Sequence, residues 1–187
     1  MLHGNSFDFL RDGKQILFKM ATAYQPATLT CPSKVNLSLA ILGLREDGFH
    51  ALHSVVAQTS HGDELTLQYD PEGPLDKDVV VVQDALLPEE DNSVRKALQA
   101  FRRAAGFTSG AYTATLIKRI PVGAGFGGGS SDAVATLKAL RQLHGAELSE
   151  VDWPGLTAGL GSDCPLFLSD EPVLMEGTGD RISRLDP

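Results

Sequence analysis

IPVGAGFGGGSSDAVATL, residues 120–137, decides how this chain is read: five of the seven positions from 123 to 129 are glycine, and two serines follow. Glycine loses more conformational freedom on folding than any other residue, so a dense run is kept where the backbone must bend sharply or meet another group closely. Two ordered elements bracket the run. AYTATLIKRI (111–120) alternates as a half-buried strand does. From about Ser130 to His144, the residues Ala133, Leu137, Leu140 and His144 fall on one side of a helix.

Four readings compete. A flexible linker is seldom set between a strand and an amphipathic helix. A Walker A loop needs G-x-x-x-x-G-K-[ST], and Gly129 stands where the lysine belongs. The dinucleotide pattern G-x-G-x-x-G is present at Gly123, Gly125 and Gly128, but no strand with an acidic end follows roughly 20 residues later. The fourth reading is a phosphate cradle. Successive amides of a glycine-rich turn point inward as an anion nest, and the following helix adds unpaired N–H groups and the positive end of its dipole. Ser130 and Ser131 place hydroxyls there that suit helix capping, phosphate binding or Mg²⁺ ligation. On this reading the main chain is the ligand.

Composition narrows the partners. With 24 acidic residues against 16 Lys and Arg, the net charge is -8, which argues against nucleic acid or an anionic membrane as partner. A phosphate ligand stays compatible, because amides and a few local cations bind one on an acidic protein. Two cysteines far apart make neither a disulfide framework nor a metal site, and a reducing cytoplasm is the expected compartment. No apolar run approaches the roughly 20 residues that span a bilayer.

The remaining chain mixes strands and helices without regular βαβ alternation, which predicts an α+β fold. TLTCPSKVNLSLAIL (28–42) reads as a half-buried strand, with Val35, Leu37, Leu39 and Ile41 on one face and Lys34, Asn36 and Ser38 on the other. LHSVVAQTS (52–60) and DELTLQYD (63–70) read as two strands joined by His61-Gly62, and DVVVVQD (78–84) as another. Asn92 sits among N-cap candidates for a helix carrying Val94, Ala97, Leu98, Phe101 and Ala105, stopped by Gly106. A short helix is expected near 153–160, with strands at 165–169 and 172–177. By itself Lys34 reads as a solvated strand lysine, Asp163 before Cys164-Pro165 as a turn residue, and His50 as a surface histidine.

Taken in order, these segments resemble the GHMP small-molecule kinases. P-x-G-x-G-x-G-G-G-S-S at Pro121 to Ser131 is similar to their second motif. CPSKVNLSLAILGLREDGFHAL (31–52), HGDELTL, DNSVRKAL, LGSDCPLFL (160–168) and MEGTGDRI are similar to segments of the branch that acts on a cytidine-diphosphate-linked methylerythritol in the non-mevalonate isoprenoid route. The resemblance spans roughly residues 28–185.

It implies a GHMP kinase N-terminal domain of the ribosomal protein S5 domain 2-like type, a mixed sheet with helices on one face, and transfer of the ATP γ-phosphoryl group to a tertiary hydroxyl. Lys34 and Asp163 become the catalytic pair. Pro121, Val122, Gly123, Ala124, Gly125, Phe126, Gly127, Gly128, Gly129, Ser130 and Ser131 become the ATP loop, with Asn92 near the adenine and Lys118 flanking the nucleotide. Asn36, Phe49 and His50 become substrate contacts, the aromatic ring stacking on cytosine where the family usually has Tyr, and Ser130 becomes a Mg²⁺ ligand. Asp132 stands where such kinases commonly have Asn, placed either to help hold Mg²⁺ or to repel phosphate.

The expected organisation is a poorly ordered extension over 1–26, the ATP-binding domain over 27–170, and over 171–187 the start of a connection to a C-terminal domain. No third glycine-rich motif is present, so the surface meant for that domain is expected to be apolar and exposed, an aggregation or homodimerisation patch. Rival readings are a homoserine- or mevalonate-type GHMP kinase, a non-catalytic nucleotide-binding remnant, and a dinucleotide-dependent oxidoreductase.

Overall fold

Two long strands laid side by side set the frame. A computed structural model describes residues 7–11, 14–18, 24–44, 48, 50–75, 77–84, 92–145, 151–179 and 181–185. Strands β1 (Phe7–Arg11) and β2 (Lys14–Phe18) pair antiparallel as a two-stranded sheet within the expected extension. Strands β3 (Ala27–Leu44) and β4 (His50–Asp70) then pair antiparallel from Ala27 opposite Leu67 to Leu44 opposite His50. They are followed by β5 (Val79–Gln83), α1 (Ser93–Ala105), β6 (Ala111–Ile117), α2 (Gly128–His144), α3 (Trp153–Ala158), a 3-10 turn (Cys164–Phe167), β7 (Val173–Gly177) and β8 (Arg181–Arg184).

The main sheet has the order β5-β6-β4-β7-β8, with β3 on the other edge of β4. Only β5 and β6 are parallel, so the sheet is mixed. Strands β7 and β8, in the segment expected to begin a connection, extend this sheet. Beside β3, strand β4 carries β6 at residues 64–70 and β7 at residues 52–56. The stretch 57–63 lies between these neighbours and pairs with neither.

Three sequence expectations need correction. The two strands expected over 52–60 and 63–70 are one. The chain does not turn at His61-Gly62; it bulges, so that Pro32 faces Gly62 while Lys34 already faces Gln58. A Cβ on Gly62 would lie 2.2 Å from the Cys31 carbonyl oxygen, so the absent side chain lets the strands stay in contact through the bulge. The strand expected over 165–169 is the 3-10 turn, because Pro165 suits a first helical turn, where its missing N–H costs nothing. Finally, the apolar face expected on β3 is not buried: Leu37, Leu39 and Ile41 are 64%, 59% and 66% exposed. A second bulge between Asn36 and Ser38 shifts the alternation, and no described element covers the strand beyond it.

The core lies between one sheet face and the helices. Tyr112, Ala114 and Leu116 of β6 and Leu65 and Leu67 of β4 are buried against Val94, Ala97, Leu98 and Phe101 of α1 and against α2, which is buried nearly all round. Asn92 caps α1, its Oδ1 accepting from the Val94 and Arg95 amides at 2.9 and 3.2 Å. Gly106 ends the helix at φ 66°.

Arg102 of α1 ties the helix to the sheet. Its guanidinium donates to both Asp78 oxygens at 2.9 and 2.6 Å and to the Gly110 carbonyl at 2.8 Å, and it lies 4.7 Å from the Tyr112 ring centroid. The Tyr112 amide donates to the same Asp78 oxygen at 2.8 Å. Asp78→Ala strips the partner from a nearly buried cation and leaves an amide unpaired. It is expected to cost about 2–3 kcal/mol of unfolding free energy, measured by urea denaturation.

Candidate active site

The glycine run wraps a cavity of about 550 Å³, lined by residues 121–130 together with Ser93, Lys118, Asp132 and Asp163. That volume suits a nucleotide-sized ligand. Gly123, Gly125 and Gly127 take φ of 74°, 81° and 70°, the left-handed turns that aim successive amides to one side. Helix α2 starts at Gly128, two residues before the expected Ser130, and no side chain caps it. Its first internal bond runs from the Ser131 amide to the Gly127 carbonyl at 2.9 Å. The Gly128, Gly129 and Ser130 amides therefore have no partner within the helix.

Gly127 is where three segments meet. A Cβ there would lie 2.9 Å from the Phe167 ring and 3.0 Å from Lys34 Cγ. The Lys34 amide donates to the Phe126 carbonyl at 2.9 Å, pinning β3 to the loop. The 3-10 turn with Asp163 at its N-cap reaches the same point through Phe167. The structure thus gathers Lys34, the Asp163 turn and the glycine loop around one glycine, with Asp163 itself facing the cavity.

Lys34 is buried, and its ammonium donates to Asn36 Oδ1 at 3.0 Å, as the shared strand face predicts. Asn36 Nδ2 donates to Ser54 Oγ at 2.7 Å, and Ser54 donates to the Ser38 carbonyl at 2.6 Å. This chain fixes the ammonium. Ser54 went unnoticed in the sequence because a strand serine gives no local signal.

Lys118, expected to flank the nucleotide, lines the cavity and is otherwise buried. Its ammonium donates to Asp63 and, at 2.8 Å, to Asp132. Asp63 and Asp132 are 0% and 1% exposed. Asp63 also accepts the Arg119 and Ile120 amides, at 2.5 and 2.7 Å. Two carboxylates thus share one ammonium. Burial alone would push Asp63 up, but Lys118 and the two amides hold it below the ordinary carboxylate range. Burial likewise works against the Lys118 charge, and the two carboxylates outweigh it, raising its pKa. Asp132 lacks the amide donors, and burial, with Asp63 nearby, raises it from 3.8 to about 7 against the pull of Lys118.

Asp132 Oδ1 and Ser131 Oγ are buried with no hydrogen-bond partner, and Ser130 and Asp132 both line the cavity. The spare Asp132 oxygen and the Ser130 hydroxyl, both from residues on the cavity wall, suit a hard cation. Among the described residues no group of three or more His, Cys, Asp or Glu could hold a metal by itself, and a cation held here would need phosphate and water oxygens to complete its shell.

The other expected residues stand apart. Asn92 spends its side chain on the α1 cap, and its neighbour Ser93 lines the cavity instead. His50 is exposed at the start of β4, eight residues from Gln58, the partner of Lys34, and is not among the cavity-lining residues. Phe49 lies outside the described residues.

An α+β domain whose glycine loop caps a helix beside a lysine and an aspartate defines a class, and residues 92–169 match the family model for the GHMP kinases N terminal domain. The chain carries a GHMP kinase N-terminal domain. Among particular relatives, the 4-diphosphocytidyl-2-C-methyl-D-erythritol kinase of Deinococcus radiodurans is 44% identical over 157 residues, covering 83% of this chain and 50% of that protein. A crystal structure of a 4-(cytidine 5'-diphospho)-2C-methyl-D-erythritol kinase superposes with a TM-score of 0.73 at 37% identity, over 85% of this chain and 55% of that one. Homoserine kinase from Cytophaga hutchinsonii, at 19% identity and a TM-score of 0.55 over 91% of this chain and 54% of its own, shares the fold. The chain spans about half the length of the curated relatives it matches. No helix among the described residues is long and apolar enough to cross a membrane.

Folded Asp132 holds a proton that the unfolded chain releases near its ordinary 3.8, so its contribution to stability falls as pH rises through about 7. Between about pH 5 and about pH 8 wild type is expected to lose roughly 1–3 kcal/mol from this group, and Asp132→Asn to lack that slope. Urea denaturation at the two pH values measures the difference.

Proposed function

We infer that the chain is the nucleotide-binding half of an ATP-dependent kinase acting on 4-diphosphocytidyl-2-C-methyl-D-erythritol, and that it phosphorylates the tertiary 2-hydroxyl. The observation that carries this is the convergence on Gly127 of the glycine loop, the Lys34 strand and the Asp163 turn. The names of the relatives support this acceptor, and the segment 31–52 supports the same branch.

ATP would supply the phosphoryl group, and Mg²⁺, which Ser130 and Asp132 would hold, would offset polyphosphate charge. Residues 121–131 bind the phosphates through main-chain amides, and Lys118 supports the loop from below. Asp163 accepts the hydroxyl proton while the hydroxyl oxygen bonds to the γ-phosphorus and the bond to the β-phosphate oxygen breaks, releasing ADP. Lys34, held by Asn36, stabilises the charge that develops on the attacking and transferring oxygens. The cytidine end is assigned to the tip of the β3–β4 hairpin, with Phe49 stacking and His50 reading the base edge. The work is that of a cytoplasmic biosynthetic enzyme.

The chain, ATP, Mg²⁺ and the methylerythritol substrate are expected to yield ADP and a phosphomonoester visible by phosphorus NMR. Lys34→Ala and Asp163→Asn are each expected to lower kcat by about 10²–10⁴-fold, with binding of a non-hydrolysable ATP analogue little changed. Nucleotide binding without turnover by wild type would instead favour a non-catalytic module. Gly127→Ala forces a side chain into a left-handed position against Phe167 and Lys34. It is expected to weaken analogue binding by more than about 10-fold, read by calorimetry.

A further inference from the structure

Gln58 is half-buried in the stretch of β4 that pairs with neither β6 nor β7, and it stands directly opposite Lys34 in the β3–β4 ladder. Directly opposed residues of an antiparallel pair project from the same face. The Gln58 side chain leaves the sheet altogether. Its Nε2 donates to the Leu166 carbonyl at 3.1 Å and to the Ser169 carbonyl. Those two carbonyls flank the C-terminal end of the 3-10 turn, where helical carbonyls lack internal partners. Asp163 sits at the other end of that turn, its carbonyl accepting the Leu166 amide at 3.2 Å.

A single helical turn does not hold itself in place in water. This one is also held by its buried Cys164, Leu166 and Phe167 side chains, and two of its ties are the Phe167 ring against Gly127 and the Gln58 amide. Both lead back to Lys34, the first through the shared contact at Gly127 and the second through the ladder. We propose that Gln58 is a positioning residue, fixing the distance between the Asp163 turn and the Lys34 strand. Its importance for the reaction rests on the roles given to Lys34 and Asp163 under Proposed function; its hold on the turn does not.

Two near-isosteric variants test this. Gln58→Met fills the same space without a donor, and Gln58→Glu sets a carboxylate against two carbonyl oxygens. Both are expected to lower kcat by about 10- to 100-fold while the KM for ATP stays within about 3-fold, because the glycine loop is anchored independently. Amide hydrogen exchange at Cys164, Leu166 and Leu168 is expected to speed up by about 10-fold, with the α2 amides unchanged. If the Glu variant does not fold, the Met variant decides alone. The proposal is overturned if Gln58→Met keeps wild-type kcat and exchange, or if kcat, ATP KM and α2 exchange all shift together, which marks a general scaffold role. A wild-type chain without turnover overturns the proposed reaction instead, and the exchange comparison still decides what Gln58 holds.

Discussion

Backbone groups on both edges of a strand need partners, and β4 meets that need with a change of neighbour partway along. It keeps β3 on one edge between His50 and Leu67, and takes β7 and then β6 on the other. Where the neighbours change, side chains do the bridging. Asp63 takes the amides of the chain leaving β6, and Gln58 takes the carbonyls of the chain approaching β7. The glycine loop and the Asp163 turn both enter through this gap. The site is therefore a consequence of the sheet: without the break in pairing, no room would exist beside Lys34 for either segment.

The charges beneath the loop follow from the same gap. A buried carboxylate is costly unless several donors satisfy it. Asp63 has two amides and an ammonium, whereas Asp132 has the ammonium alone and an oxygen left over. Two carboxylates on one ammonium thus differ in what they can do. The first is structural, keeping Lys118 charged and the strand end in place. The second has spare binding capacity facing the cavity.

Much of this was legible in the sequence, and what was not follows a pattern. The glycine loop, the helix after it and the Asn92 cap were readable because each is a local signal: backbone freedom, 3.6-residue periodicity, a side chain reaching its own neighbours. The shared face of Lys34 and Asn36 followed from the two-residue period of a strand. Failures came where partners distant in the chain decide. Gly62 looks like a turn until Cys31 lies against it, and Leu37, Leu39 and Ile41 look like core until a bulge and the lack of a covering layer leave them in solvent. Asp63 and Gln58 carried no signal, since their partners lie at least 56 residues further along the chain or, for Lys118, 55.

The two thiols acquire a use from their placement. Cys31 is buried beside Asp132, and Cys164 opens the 3-10 turn next to Asp163 and Ser130. Both are sealed from solvent, and burial raises the pKa of each, Cys31 far more. Only thiolate attacks an alkylating reagent at a useful rate, so neither sulfur reacts while the fold is shut. The rate at which iodoacetamide consumes them is thus a stopwatch for how often this domain breathes open.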